Sequence, residues 1–178
     1  MQRIGIIGAG QMGSGIAHVC AVAGLDVRML DVQPDQLEKS LNGIRANMMR
    51  QVSRGKIPEE QVTAALARVS TGTDYAELAD CDLVIEAATE NEDIKREIFK
   101  TLVPHLDDHT LLATNTSSIS ITRLAANTDR PEKFMGMHFM NPVPIMQLVE
   151  LIRGIATEQP TFEAVRDLAE KLGKTVAV

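Results

Sequence analysis

Short apolar runs alternate along the chain with longer segments in which apolar residues recur every three or four positions. Residues 3–7 read as a buried strand. Residues 11–23 follow as a helix, with Ile16, Val19, Cys20 and Ala23 on one stripe and Gly24 ending it. Residues 25–30 form the next strand, and Pro34 opens a long helix whose Leu37, Leu41, Ile44, Met48 and Val52 keep the same spacing. Arg54-Gly55-Lys56 breaks that helix, and Pro58 starts another that runs through Val69. Strands at 82–86 and 110–113 flank a helix at 92–103, and a short helix follows at 119–126. Two further apolar runs, 134–139 and 147–152, are parted by Asn141-Pro142, because proline donates no backbone hydrogen bond and stops a strand. A helix at 159–173 and a strand from Thr175 to Val178 complete the pattern.

Strands separated by helices imply parallel pairing with right-handed crossovers. The expected fold class is α/β: a doubly wound, Rossmann-type, mostly parallel sheet with helices on both faces, formed by residues 1–178 as one domain. A chain of 178 residues, 44% hydrophobic, is long enough for one ordinary core, and no internal repeat interrupts it. The net charge of -6 argues against nucleic acid as a partner, and with 3% aromatic residues and no Trp there is little on which bases could stack. No apolar run approaches the roughly 20 residues of a membrane span, and no basic region followed by a cleavable apolar stretch opens the chain. A soluble, cytoplasmic protein is expected. Cys20 and Cys81 lie far apart in apolar surroundings, without the spacing of a metal site or redox pair, so both are expected as reduced core thiols.

The first crossover reads G-A-G-Q-M-G-S-G. Gly8 permits a tight turn, Gly10 lets backbone approach a pyrophosphate, Gly13 allows close helix packing, and the helix N-terminus attracts phosphate charge. Asp31 falls at the end of the second strand, where a carboxylate accepts the adenosine ribose hydroxyls. Asp31 would repel a 2′-phosphate, and no arginine follows it among Val32, Gln33 and Pro34. NAD is therefore expected over NADP. FAD is the competing dinucleotide.

A second constellation runs from Gly136 to Glu150. His138 stands where an apolar strand stops, and Glu150 is the single carboxylate among Leu148, Val149, Leu151 and Ile152. Burying a carboxylate alone is costly, so Glu150 needs a partner, and His138 is the candidate. Such a pair orients the imidazole and stabilises its protonated form, as a general base for a hydroxyl proton requires. The residues alone equally allow a satisfied core histidine and a glutamate facing solvent at a sheet edge.

Four stretches in register, GAGQMGSGIAH, VIEAATEN, ATNTSSISIT and MHFMNPVPIMQLVELI, give the whole chain a specific resemblance. It resembles the NAD-binding domain of the 3-hydroxyacyl-CoA dehydrogenases, above all the short bacterial 3-hydroxybutyryl-CoA enzymes. The resemblance implies an NAD-dependent oxidation of a 3-hydroxyacyl-CoA, with His138 as catalytic base and Glu150 orienting it. It implies that Ser117 bonds the reacting oxygen and that Asn141 stands near substrate and nicotinamide. It also implies cofactor contacts at Gln11, Met12, Glu90 and Lys95 beside the glycines, and at Ser117 and Asn141. On the residues alone, Asn115 and Ser117 would read as a turn or helix cap, and Glu90 with Lys95 as a surface salt bridge.

The stretch from Arg45 to Lys56 holds four cations and no anion within an acidic chain. A solvated helix face accounts for most such runs. The family, however, binds coenzyme A, whose phosphates need cations, and Arg54 falls at the matching position with Lys56 close by. Relatives continue past the final G-K-T-V-A-V into a helical domain that makes most of a homodimer interface and closes the substrate cleft. The chain is thus expected to be a fragment that binds NAD but turns over weakly. Two alternatives remain at this point: another NAD-dependent hydroxyacid dehydrogenase, and a non-catalytic relative like the lens crystallins derived from the family.

Overall fold

The apolar runs assemble into one eight-stranded sheet in a computed structural model that describes residues 1–178. Its strands are β1 (Arg3–Ile7), β2 (Asp26–Leu30), β3 (Val69–Gly72), β4 (Leu83–Glu86), β5 (Leu111–Thr114), β6 (Phe134–Phe139), β7 (Leu148–Arg153) and β8 (Thr175–Ala177). The order is β3-β2-β1-β4-β5-β6-β7-β8. Neighbours from β3 to β6 pair in parallel, β7 runs antiparallel to β6, and β8 is parallel to β7. Every residue of β4 is buried, as expected of a central strand covered on both faces.

The helices are α1 (Gln11–Val22), α2 (Pro34–Ser53), α3 (Glu59–Ala67), α4 (Glu92–Leu102), α5 (Ile121–Ala125) and α6 (Gln159–Lys171). Ile16 and Cys20 of α1, Ile44 and Met48 of α2, Val62 of α3 and Val165 of α6 belong to the larger apolar cluster, together with inward residues of β1, β2 and β4. Phe99 and Leu102 of α4, with Leu124 of α5, belong to a second cluster under the other sheet face. The doubly wound, mostly parallel sheet is therefore observed. Strand order reverses between β1 and β4, which opens a crevice beyond their carboxyl ends. Cys20 and Cys81 are free and buried, and burial pushes each thiol up to about 12, which keeps them protonated and unreactive.

Two local expectations are corrected, and the direction of one strand pair is settled. The helix expected through Val69 ends at Ala67, and Val69–Gly72 becomes edge strand β3; its exposed Ser70 and Thr71 gave no apolar run. The helix expected at 119–126 begins later, at Ile121, because the Ser120 hydroxyl accepts from Arg123 N and caps it there. Residues 140–147 link β6 and β7 without a helix, so this pair turns back antiparallel rather than crossing over. No helix is long and apolar enough to cross a membrane.

Candidate dinucleotide and catalytic site

The β1–α1 turn is shaped by two glycines. Gly8 has φ 104° and lies against the backbone of Ala87 and Ala88, and a Cβ at Gly13 would collide with Gly8 O. Close packing of the turn and helix is therefore possible only without side chains at both positions. Gly10 has open space where its Cβ would be, and it caps α1 without any side-chain hydrogen bond or first-turn carboxylate. The helix thus presents free N–H groups and its positive end to an anion. Asp31 accepts from Ala9 N at 2.9 Å and from Gln33 N at 3.0 Å, which holds its carboxylate beside the glycine turn. Gly8, Gly10, Gln11, Met12, Asp31 and Glu90 share one cavity of about 490 Å³, so these expected cofactor residues converge. Its donor set, free helix N–H groups at one end and a carboxylate at the other, fits the pyrophosphate and ribose of a dinucleotide.

Lys95 is placed differently. Its ammonium is fully buried and donates to Glu86 Oε1 at 2.5 Å, so it neither lines that cavity nor pairs with Glu90 at the surface. Thr114 Oγ1 also donates to Glu86 Oε1 at 2.7 Å, and Ala88 N donates to Oε2 at 2.8 Å. Glu86 therefore gathers β4, β5, α4 and the cofactor loop on one carboxylate. Glu90 instead accepts from Thr116 Oγ1 at 2.9 Å.

The same edge of the sheet carries the residues expected to form an acid-base pair. His138 and Glu150 are direct partners in the β6–β7 register, and His138 Nδ1 lies 3.1 Å from Glu150 Oε1. The side chains are 20% and 47% exposed, so the pairing is observed although Glu150 is less buried than its apolar neighbours suggested. Alternation along β7 turns Val149 and Leu151 inward and leaves Glu150 with the outward residues. With Nδ1 directed at the carboxylate, Nε2 remains for another group. Asn115 is neither turn residue nor cap: its Oδ1 accepts from Phe139 N at 2.8 Å and ties the end of β5 to the residue after His138. Ser117 is exposed on the loop leaving β5, and Asn141 is exposed where β6 ends.

Asn141 borders a second cavity, of about 340 Å³, between α1, α2 and the 140–147 loop. A third, of about 190 Å³, shares His18, Asn47, Pro142 and Pro144 with it and is bordered by Arg50, Arg54 and Lys56. Arg45 does not reach it, so the basic stretch divides into one solvated cation and three that face the groove. His18, Asn47, Gln36 and Arg50 were missed as wall residues. Arg50 lay inside the basic stretch and was legible; the others are polar positions on helices whose direction only packing decides.

Residues 3–178 match the family model described as the 3-hydroxyacyl-CoA dehydrogenase NAD binding domain. The chain is 56% identical over 178 residues to a 3-hydroxybutyryl-CoA dehydrogenase of Bradyrhizobium diazoefficiens, covering 100% of this chain and 61% of that protein. It is 42% identical to the human mitochondrial hydroxyacyl-coenzyme A dehydrogenase, covering 98% of this chain and 57% of that one. The crystal structure of the (S)-3-hydroxybutyryl-CoA dehydrogenase of Ralstonia eutropha superposes with a TM-score of 0.97 at 46% identity, over 99% of this chain and 62% of that structure. The chain thus spans less than two thirds of these relatives. By the family match over nearly its whole length, the identity to these relatives and the shared backbone, the chain belongs to the 3-hydroxyacyl-CoA dehydrogenase family and corresponds to its NAD-binding domain.

Proposed function

We propose that the protein containing this chain interconverts a (S)-3-hydroxyacyl-CoA, in the first place 3-hydroxybutyryl-CoA, and the corresponding 3-oxoacyl-CoA. The observation that carries the reading is the 3.1 Å contact between His138 Nδ1 and Glu150 Oε1 on paired strands at the carboxyl edge of the sheet. NAD supplies the hydride acceptor. His138 Nε2 takes the proton from the 3-hydroxyl, and Glu150 holds the ring and stabilises its charged form. The Ser117 hydroxyl donates to the reacting oxygen, and Asn141 holds substrate and nicotinamide in register. Arg54 and Lys56, with Arg50 beside them, take the phosphates of coenzyme A. A free hydroxyacid carries one carboxylate but no phosphates to occupy three cations in this basic groove, and a retained His-Glu pair has no use in a non-catalytic relative.

The test is NADH oxidation by acetoacetyl-CoA, compared with free acetoacetate, in a form extended to the full length of the relatives. Turnover should require the CoA ester, and His138→Gln should lower kcat by roughly 10²–10⁴-fold while NAD still binds. Equal turnover of free acetoacetate, or an unchanged kcat in H138Q, would refute the assignment.

A further inference from the structure

The loop at 140–147 joins the strand of His138 to the strand of Glu150 and carries Asn141 as its second residue, yet it has little structure of its own. Ile145 N and Met146 N both donate to Pro142 O, at 3.1 and 2.9 Å. Val143 is buried, and its Cβ stands 2.7 Å from where a Cβ on Gly15 would lie, so the loop seats directly against α1. Three of its carbonyls are taken from one distant point in the chain. Lys174 Nζ donates to Val143 O at 2.6 Å and to Met146 O at 2.7 Å, and Thr175 N donates to Gln147 O at 2.8 Å.

Local structure explains how the lysine arrives there. Gly173 ends α6 with φ 79°, Lys174 N bonds back to Ala169 O at 3.0 Å, and the chain turns directly into β8 beside β7. The ammonium is partly withdrawn from water, and burial alone holds its pKa below the ordinary lysine value; no carboxylate offsets it. Such burial is unfavourable unless the donors are used. Two charge-assisted hydrogen bonds to carbonyls of one loop are the use the structure gives them.

We propose that Lys174 is a positioning residue for the reaction, clamping the 140–147 loop so that Asn141 and the Pro142-to-Pro144 wall keep a fixed place against α1. The inference rests on the dehydrogenase reading above for the catalytic consequence, but the clamp itself does not. The Gly8 and Asp31 half of the cofactor cavity shares no residue with the loop, so dinucleotide affinity should be largely untouched.

Lys174→Met keeps the aliphatic stem and removes the donors, and Lys174→Arg keeps donors at a similar reach. Amide hydrogen exchange on the chain should show Ile145 and Met146 exchanging about tenfold faster or more in K174M, with Ile6 and Val84 unchanged and K174R close to the parent. In the extended form, K174M should lower kcat for acetoacetyl-CoA by about tenfold or more, with NADH affinity within about twofold and K174R recovering most of the loss. Unchanged loop exchange in K174M would overturn the clamp, as would acceleration spread equally over the core strands. Faster loop exchange with kcat unchanged would overturn the positioning role. If the parent form has no acetoacetyl-CoA turnover, the dehydrogenase reading falls and takes the catalytic half of this proposal with it, while exchange alone still decides the clamp.

Discussion

At the scale of single residues, charge and burial give opposite kinds of forecast. Arg54 is exposed at the end of α2 and faces the groove beside Pro142, where a phosphate would find it. Charge-assisted bonds contribute about 1.5–3 kcal/mol, so Arg54→Glu should raise the KM for acetoacetyl-CoA by roughly 10–100-fold with little change for NADH. Steady-state titration of both substrates checks this, and an equal effect on the two would count against a coenzyme A contact. His18 is the buried counterpart, with Nε2 2.9 Å from Gln51 Oε1 and only 1% of the residue exposed. Burial holds its pKa below 6.5, with the nearby Lys174 charge acting in the same direction against the Gln51 hydrogen bond. A histidine depressed in the folded state stabilises the fold fully above the unfolded pKa, and that stabilisation is lost as pH falls through the lowered value. Thermal melts should therefore show His18→Gln losing less stability than the parent between about pH 7.5 and pH 5.5, by up to about 1.4 kcal/mol per pH unit in the titrating window. Asp31 and the glycines were legible because backbone geometry demands those residue types at those spacings. Lys95 was not, since nothing in its local sequence reveals that Glu86, nine positions earlier, lies within reach of its ammonium.

At the scale of elements, apolar period revealed every strand that lies inside the sheet and lost the one that lies at its β3 edge. Val69–Gly72 pairs with β2 through the backbone ladder and the Ser70 hydroxyl, which donates to Val27 O at 3.4 Å, and its exposed Ser70 and Thr71 contribute no apolar pattern. The β6–β7 pair was legible as two strands, though its direction depended on the absence of a helix between them. What sequence period could not supply is how separate elements are joined, and the Glu86 carboxylate is the clearest case. It draws bonds from α4, β5 and the cofactor loop while fully buried. Removing one partner of a buried ion pair leaves an uncompensated charge, at a cost of about 3–5 kcal/mol. Lys95→Met should destabilise the chain by that order in urea unfolding, and K95M combined with Glu86→Gln should recover most of the loss. A double variant no more stable than K95M would show that the loss does not come from a stranded Glu86 charge.

At the scale of the whole molecule, the two halves of the proposed chemistry are unequally housed. The cofactor cavity is an open crevice lined by residues at the ends of β1, β2, β4 and β5 and by the first turns of α1 and α2, all within this chain. The His138-Glu150 pair lies outside that crevice: Leu148 and Ile152 share the outward side of β7 with Glu150, and both they and Ile145 of the preceding loop are exposed apolar residues. Hydride and proton transfer need water kept from the reacting carbon and the acyl group held on both sides. The chain spans 61% of its 3-hydroxybutyryl-CoA dehydrogenase relative from Bradyrhizobium, and the remaining length is the proposed cover for this side. Calorimetric titration should accordingly find NAD binding to the 178-residue chain within about tenfold of the extended form, since the elements that bind it are local. Acetoacetyl-CoA reduction by the chain alone should fall below about one hundredth of the extended form's rate, because orientation and water exclusion fail together. Comparable turnover by the two forms would mean that the open face of β7 is catalytically sufficient, and that the exposed Leu148, Ile152 and Ile145 serve something other than closure of the site.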